Sequence, residues 1–144
     1  MTNRVLLVDD ETHVLSSLKR SLRNEQLEIV TASSAETALE ILEEQKFKVI
    51  VSDERMTGMQ GSDFLKVVRD KYPQTLRFVL TGHASAEVAM KAVNEGEIYR
   101  FFTKPWDDLQ MRLAIRSAIE KFDLEEKNLS LLATIRYSTF CPGG

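Results

Sequence analysis

Residues 5–11, Val-Leu-Leu-Val-Asp-Asp-Glu, decide the fold: four apolar residues in a row run straight into two aspartates and a glutamate. A short continuous apolar run of this kind predicts a strand buried on both faces, the signature of a parallel sheet covered by helices. The pattern then changes period repeatedly. Val14, Leu15, Leu18 and Leu22 recur at helical spacing across Glu11–Asn24, and Ile29 and Val30 predict a second short strand. Ser34 is placed to cap a helix whose Thr37–Glu44 stretch carries Ala38, Leu39, Ile41 and Leu42. Val49, Ile50 and Val51 predict a third strand, stopped by Ser52 and Asp53.

Gly58 and Gly61 mark the next loop, and Phe64–Tyr72 reads as a helix closed by Pro73. Phe78–Leu80 predicts a fourth strand ending at Thr81 and Gly82. A helix follows over Ala86–Asn94 with Gly96 as its C-cap, then a fifth strand over Tyr99–Phe102 leads to Lys104-Pro105-Trp106. Five strands alternating with helices imply right-handed β-α-β units, a doubly wound parallel α/β sheet with helices on both faces.

Beyond Asp107 the helical pattern continues through Met111, Ile115, Ala118, Phe122, Leu129, Leu132 and Ala133, interrupted by Glu125. Covering the sheet needs only about the first half of that stretch. The expected division is a domain over 1–123 and, over 124–144, an extended last helix serving as connector or dimerising element, with Ser138–Gly144 frayed. Homodimerisation through the last two helices and the fifth strand is one expected use of that surface.

Composition limits what such a domain does. The 144 residues are 43% hydrophobic and 28% charged, the balance of an ordinary globular domain. Nineteen basic against 22 acidic residues give a net charge of −3, with no basic excess for nucleic acid. Cys141 is alone, and no apolar run approaches a membrane span of roughly 18 residues. The expectation is a cytoplasmic protein that binds neither nucleic acid nor membrane.

The chemistry sits at the strand ends, where open parallel sheets bind ligands. The first strand ends in Asp9 and Asp10, the third in Asp53, the fourth in Thr81, and the fifth leads to Lys104. If strands one and three are neighbours, three carboxylates share one crevice. Each pair of unit charges about 4 Å apart repels by roughly 4 kcal/mol at an effective dielectric of about 20. Protons or a cation must relieve that crowding. A few oxygen ligands suit Mg²⁺, and a hydroxyl with a fixed ammonium suits a phosphoryl group, so the set reads as metal-assisted phosphoryl transfer to an aspartate. Taken singly, an aspartate after a strand is most often a helix cap; it is the succession of strand ends that carries the reading.

The four segments VLLVDDE, VIVSDERMTGMQG, FVLTGHA and YRFFTKPW resemble, in order, the signatures of a bacterial response-regulator receiver domain of the CheY type. The resemblance covers about Arg4–Phe122 and implies a sheet of order 2-1-3-4-5. It implies that Asp53 accepts a phosphoryl group from a sensor histidine kinase or phosphotransfer protein. Mg²⁺ would be bound by Asp10, Asp53 and the Arg55 carbonyl, with Asp9 acting mainly through water. Lys104 would contact the phosphoryl oxygens, while Thr81 and Phe101 would form the switch that signals to a downstream output domain or protein through the fourth helix, fifth strand and last helix. The Lys104–Pro105 bond is expected to be cis.

By the same resemblance, Arg55 and His83 would take the two positions that flank the phosphoryl group and tune its lifetime. Arg55 either screens it from water or merely reaches an acidic neighbour; His83 is a proton carrier or an ordinary loop histidine. Thr57 stands where the family usually has proline, which predicts a less rigid loop. The stretch Asn94–Tyr99 is one residue longer than in the simplest members, and resembles receivers attached to output domains such as cyclic-dinucleotide phosphodiesterases.

The same residues admit two other readings. A phosphatase with a strand-end aspartyl phosphate wants an Asp two residues after the nucleophile, where Arg55 stands, and a cap domain. A purely structural module would not need the full set of Asp9, Asp10, Asp53, Thr81 and Lys104. Trp106, Met56 and Met59 are expected to pack, and His13 to lie on the surface.

Overall fold

The computed structural model describes residues 2–82, 86–95 and 98–140. Five parallel strands, β1 Arg4–Val8, β2 Glu28–Ala32, β3 Val49–Asp53, β4 Leu76–Thr81 and β5 Arg100–Thr103, form one sheet of order β2-β1-β3-β4-β5. Between them run α1 Thr12–Ser21, α2 Ala35–Glu44, α3 Gly61–Lys71 and α4 Ala86–Asn94, and α5 Asp108–Phe140 closes the chain.

Alternation across the pleat sorts the core into two layers. Val5, Leu7, Val49, Val51, Phe78 and Leu80 face α1 and α5, where they meet Leu15, Leu18, Met111, Ile115 and Phe122. Leu6, Val8, Ile50 and Val79 face the other way, against Ala38, Leu42, Phe64, Leu65 and Ala89. Because both faces are covered, the strands read as unbroken apolar runs rather than alternating ones.

Strand and helix ends shift by a few residues from the sequence expectation. β3 does not stop before Ser52 and Asp53 but pairs through both of them, Asp53 opposite Leu80. α1 ends at Ser21 rather than Asn24, and β5 begins at Arg100 rather than Tyr99. α3 starts three residues early, at Gly61. α2 starts where expected: the Ser34 hydroxyl accepts the Thr37 N–H at 3.1 Å. The Gly96 C-cap position lies outside the described residues.

α5 is one unbroken helix of 33 residues, about 50 Å long. Glu125, which broke the apolar pattern, does not break the helix; it pairs with Lys121 at 2.7 Å. Ser138–Phe140 are helical rather than frayed, and residues 141–144 lie outside the described part. Met111, Ala114, Ile115, Ala118, Ile119 and Phe122 are buried. From residue 123 to 133 none is, and Leu124, Leu129, Leu131 and Leu132 are about half exposed or more.

A polar clamp marks the point where α5 leaves the body. Lys48, its side chain only 4% exposed, reaches Asp123 at 2.7 Å and Asn3 at 2.7 Å, and lies over the Phe122 ring. The two halves of the pair are not equivalent. Removing the buried cation frees a carboxylate already half in water, whereas removing the carboxylate strands a buried ammonium, which costs several-fold more. In chemical denaturation Lys48→Met should lose less than about 1 kcal/mol and Asp123→Ala about 3 kcal/mol; equal losses would contradict this account of the clamp.

Candidate functional site

The strand order places β1 beside β3 and β4 beside β5, so every predicted site residue at a strand end arrives at one edge of the sheet. The Asp9 N–H donates to the Ala32 carbonyl at 3.1 Å, continuing β1, and the Lys104 N–H donates to the Thr81 carbonyl at 2.9 Å, continuing β5. Asp9, Asp10 and Asp53 each offer a carboxylate oxygen, and these oxygens lie within 4.8 Å of one another. Asp9 is fully buried and Asp53 nearly so, while Asp10 is exposed.

Lys104 is the cation that meets them. Its Nζ lies 2.9 Å from Asp53 Oδ1 and 3.4 Å from Asp9 Oδ2. Burial alone would lower the Lys104 pKa, but the hydrogen bond and charge of Asp53, followed by those of Asp9, outweigh it and hold the ammonium above its usual value. Asp9 is shifted the other way. Burial pushes its carboxyl up and the Asp53 charge adds to this, against the Glu11 N–H, which donates to Asp9 Oδ1 at 2.9 Å, and against Lys104. Glu54 is likewise raised, chiefly by burial, with Arg55 among the charges that oppose the shift.

Thr81 is buried, its hydroxyl donating to the Gly82 carbonyl at 3.2 Å, and Phe101 is half-buried on β5 among the α2, α3 and α4 layer. The arrangement therefore brings together Asp9, Asp10, Asp53, Thr81 and Lys104. Arg55 is exposed in the loop after β3, and His83 lies outside the described residues. The Lys104–Pro105 peptide is cis. Met56 is buried and Met59 packs beside it, as expected of loop anchors, and His13 is exposed. Trp106 packs against the α1 and α5 layer, and its indole N–H donates to the Ser21 hydroxyl at 3.0 Å.

Two contacts carry no signal in the sequence pattern. Thr57 donates twice to Asp10, so the loop expected to be less rigid is tied to the acidic pocket. Gly61 sits so close to the acceptor strand that a Cβ there would lie 2.0 Å from the Asp53 carbonyl oxygen. A side chain at 61 cannot be added without moving the backbone that carries Asp53.

The donor set suits a hard divalent cation: three carboxylates with ligand oxygens within 4.8 Å of one another are the ligand chemistry of Mg²⁺.

The family model of the response regulator receiver domain matches residues 5–116. The chain belongs to that family, whose members are the receiver domains of two-component signalling and generally bind Mg²⁺ at an acidic pocket. Among curated proteins it is similar to the hydrogenase transcriptional regulatory protein HoxA of Cupriavidus necator, 38% identical over 135 residues, 94% of this chain and 28% of that protein. It is also similar to the transcriptional regulatory protein GlrR of Escherichia coli (strain K12), 33% identical over 117 residues, 81% of this chain and 26% of that protein. The chain thus spans little more than a quarter of the length of these regulators. Among solved structures, the signal receiver domain of an HD domain-containing protein from Pseudomonas fluorescens Pf-5 superposes with a TM-score of 0.81 at 34% identity, covering 88% of this chain and 93% of that one. No helix among the described residues is long and apolar enough to cross a membrane.

Asp9 holds a buried negative charge that folding disfavours, since its pKa is raised in the native state. Above the raised value the native state carries the full penalty; as the pH falls through it, the native carboxyl takes up its proton first and the penalty shrinks, vanishing only below the ordinary carboxylate value. Without metal, Asp9→Asn should therefore raise the melting temperature at neutral pH, the gain fading in acid. A loss of stability at neutral pH would show instead that the Asp9–Lys104 contact outweighs the burial of Asp9.

Proposed function

We propose that Asp53 is the phosphoacceptor of this receiver domain, taking a phosphoryl group from a histidine kinase or phosphotransfer protein. The observation that carries this reading is the 2.9 Å contact between Lys104 Nζ and Asp53 Oδ1 inside a crowd of carboxylates. Asp10, Asp53 and the Arg55 carbonyl, with Asp9 close behind them, would hold Mg²⁺. When bound, the ion offsets the charge of the carboxylates and of the phosphoryl oxygens.

Asp53 supplies the attacking oxygen. The P–O bond to Asp53 forms as the P–N bond to the donor imidazole breaks; the imidazole keeps the bonding pair and takes up a proton. Lys104 already faces Asp53, so its ammonium is in place for the new phosphoryl oxygens without reorganisation. The product carries about −2 where a carboxylate carried −1, and it adds strong acceptor oxygens. Thr81, whose hydroxyl donates to its neighbour's carbonyl at 3.2 Å in this state, gains a better partner there. Its movement vacates space beside Phe101 on the adjoining strand, and the pair shifts the surface of α4, β5 and α5 toward its signalling form. A coupling of about 1–3 kcal/mol is enough for such a shift. In this reading Arg55, exposed in the loop after β3, shields the aspartyl phosphate from water.

Residues 124–144 act as the connector through which that change leaves the domain, either into the rest of a longer regulator or into a second copy along the exposed leucines of α5. The relatives named above are transcriptional regulators several times longer than this chain, which supports an output portion acting on transcription.

Incubation with acetyl phosphate and Mg²⁺ followed by intact mass spectrometry should show a gain of one phosphoryl group in the wild type and none in Asp53→Asn. A gain that survives that substitution would assign the acceptor elsewhere.

A further inference from the structure

The loop between β3 and α3 is pinned from two sides. Thr57 donates its backbone N–H at 3.0 Å and its hydroxyl at 3.1 Å to one atom, Asp10 Oδ2. Two residues on, the Met59 N–H donates to Glu36 Oε1 of α2 at 3.3 Å. Gly58 between them has φ +84°, the left-handed region that glycine enters without strain.

The carboxylate held in this way is the one with most freedom to leave. Asp9 and Asp53 are buried and cannot turn away from each other, but Asp10 is exposed and stands next to both. Repulsion from its neighbours favours a side-chain rotation toward water, where a lone carboxylate is fully solvated. Two donors on Oδ2 oppose that rotation, because it would forfeit both hydrogen bonds. They also leave the lone pairs of Oδ1 unclaimed by Thr57.

We propose that Thr57 is a positioning residue for the cation site, holding Asp10 in its metal-binding orientation before the ion arrives. This rests on the Mg²⁺ reading given above. Proline, the usual residue at this position in the family the sequence resembles, has neither an N–H nor a hydroxyl and could not make either bond. Threonine here supplies by hydrogen bonding an order that a proline would supply by ring stiffness, and it acts on the ligand itself rather than on the loop alone.

Calorimetric titration of the full chain with Mg²⁺ alone tests this, since no phosphoryl transfer is involved. Thr57→Ser keeps both donors, Thr57→Val keeps the N–H and the side-chain shape, and Thr57→Pro keeps neither. Affinity should match the wild type in Thr57→Ser, fall about threefold in Thr57→Val and about tenfold in Thr57→Pro. Melting temperatures without metal should change little, because Thr57 is exposed. If Thr57→Val and Thr57→Pro bind Mg²⁺ as tightly as the wild type, the inference is overturned; if they bind it more tightly, Thr57 competes with the ion instead of preparing its ligand. A wild type that takes up no Mg²⁺ would overturn the reading of the acidic pocket and this inference with it, a result distinct from a wild type that binds while its variants do not differ.

Discussion

Like charges forced together at one edge of a sheet are the constraint around which this domain is arranged. Asp9 and Asp53 are buried, Asp10 stands beside them, and the ammonium of Lys104 reaches the two buried ones. Such a cluster is a poor way to build a stable protein, because two of its charges are removed from water without enough opposite charge to replace the lost solvation, and a third stands beside them. It is a good way to build a receptor for a cation and a phosphoryl group, both of which relieve it. The sheet order is what assembles it: with β1 next to β3, and β4 followed by β5, four strand ends that are far apart in sequence open onto one crevice.

The same edge is joined mechanically to the rest of the molecule. From Lys104 the chain passes through Pro105 to Trp106, whose indole N–H meets the Ser21 hydroxyl at the end of α1. That hydroxyl is also bonded to Asp108 at the start of α5, and Arg112 donates to the Ser21 carbonyl at 3.2 Å. Lys48 and Asp123 fasten the same helix at the opposite end of the sheet. α5 is therefore held at both ends of its buried stretch, and what happens near Lys104 bears on the helix that carries the exposed leucines outward.

Most of this could be read from residues in order, because its signals are periodic or local. Apolar runs such as Val5–Val8 and Val49–Val51 announced buried strands, and Ser34 announced its helix. The polar residues ending those runs marked the edge at which the chemistry would lie. From sequence Asp53 ends its strand, since aspartate is disfavoured in strands, yet the pairing with Leu80 carries β3 through it. What the sequence could not show are contacts made by single polar residues far apart in the chain: Thr57 on Asp10, Ser21 on Asp108, Lys48 on Asp123. Such pairs follow no period and use residue types that are common on surfaces. Thr57 is instructive: the absence of proline alone predicts a looser loop, while the fold brings that loop into hydrogen bonds with the Asp10 carboxylate.

Crystals grown with Mn²⁺, a hard divalent stand-in with an anomalous signal, report whether a cation sits among the three carboxylates. The expected result is one strong anomalous peak ligated by Asp10 and Asp53, with the Arg55 carbonyl completing the protein ligands and Lys104 still beside Asp53. A peak that excludes Asp10, or manganese scattered over other acidic surface positions with the crevice bare, would contradict it.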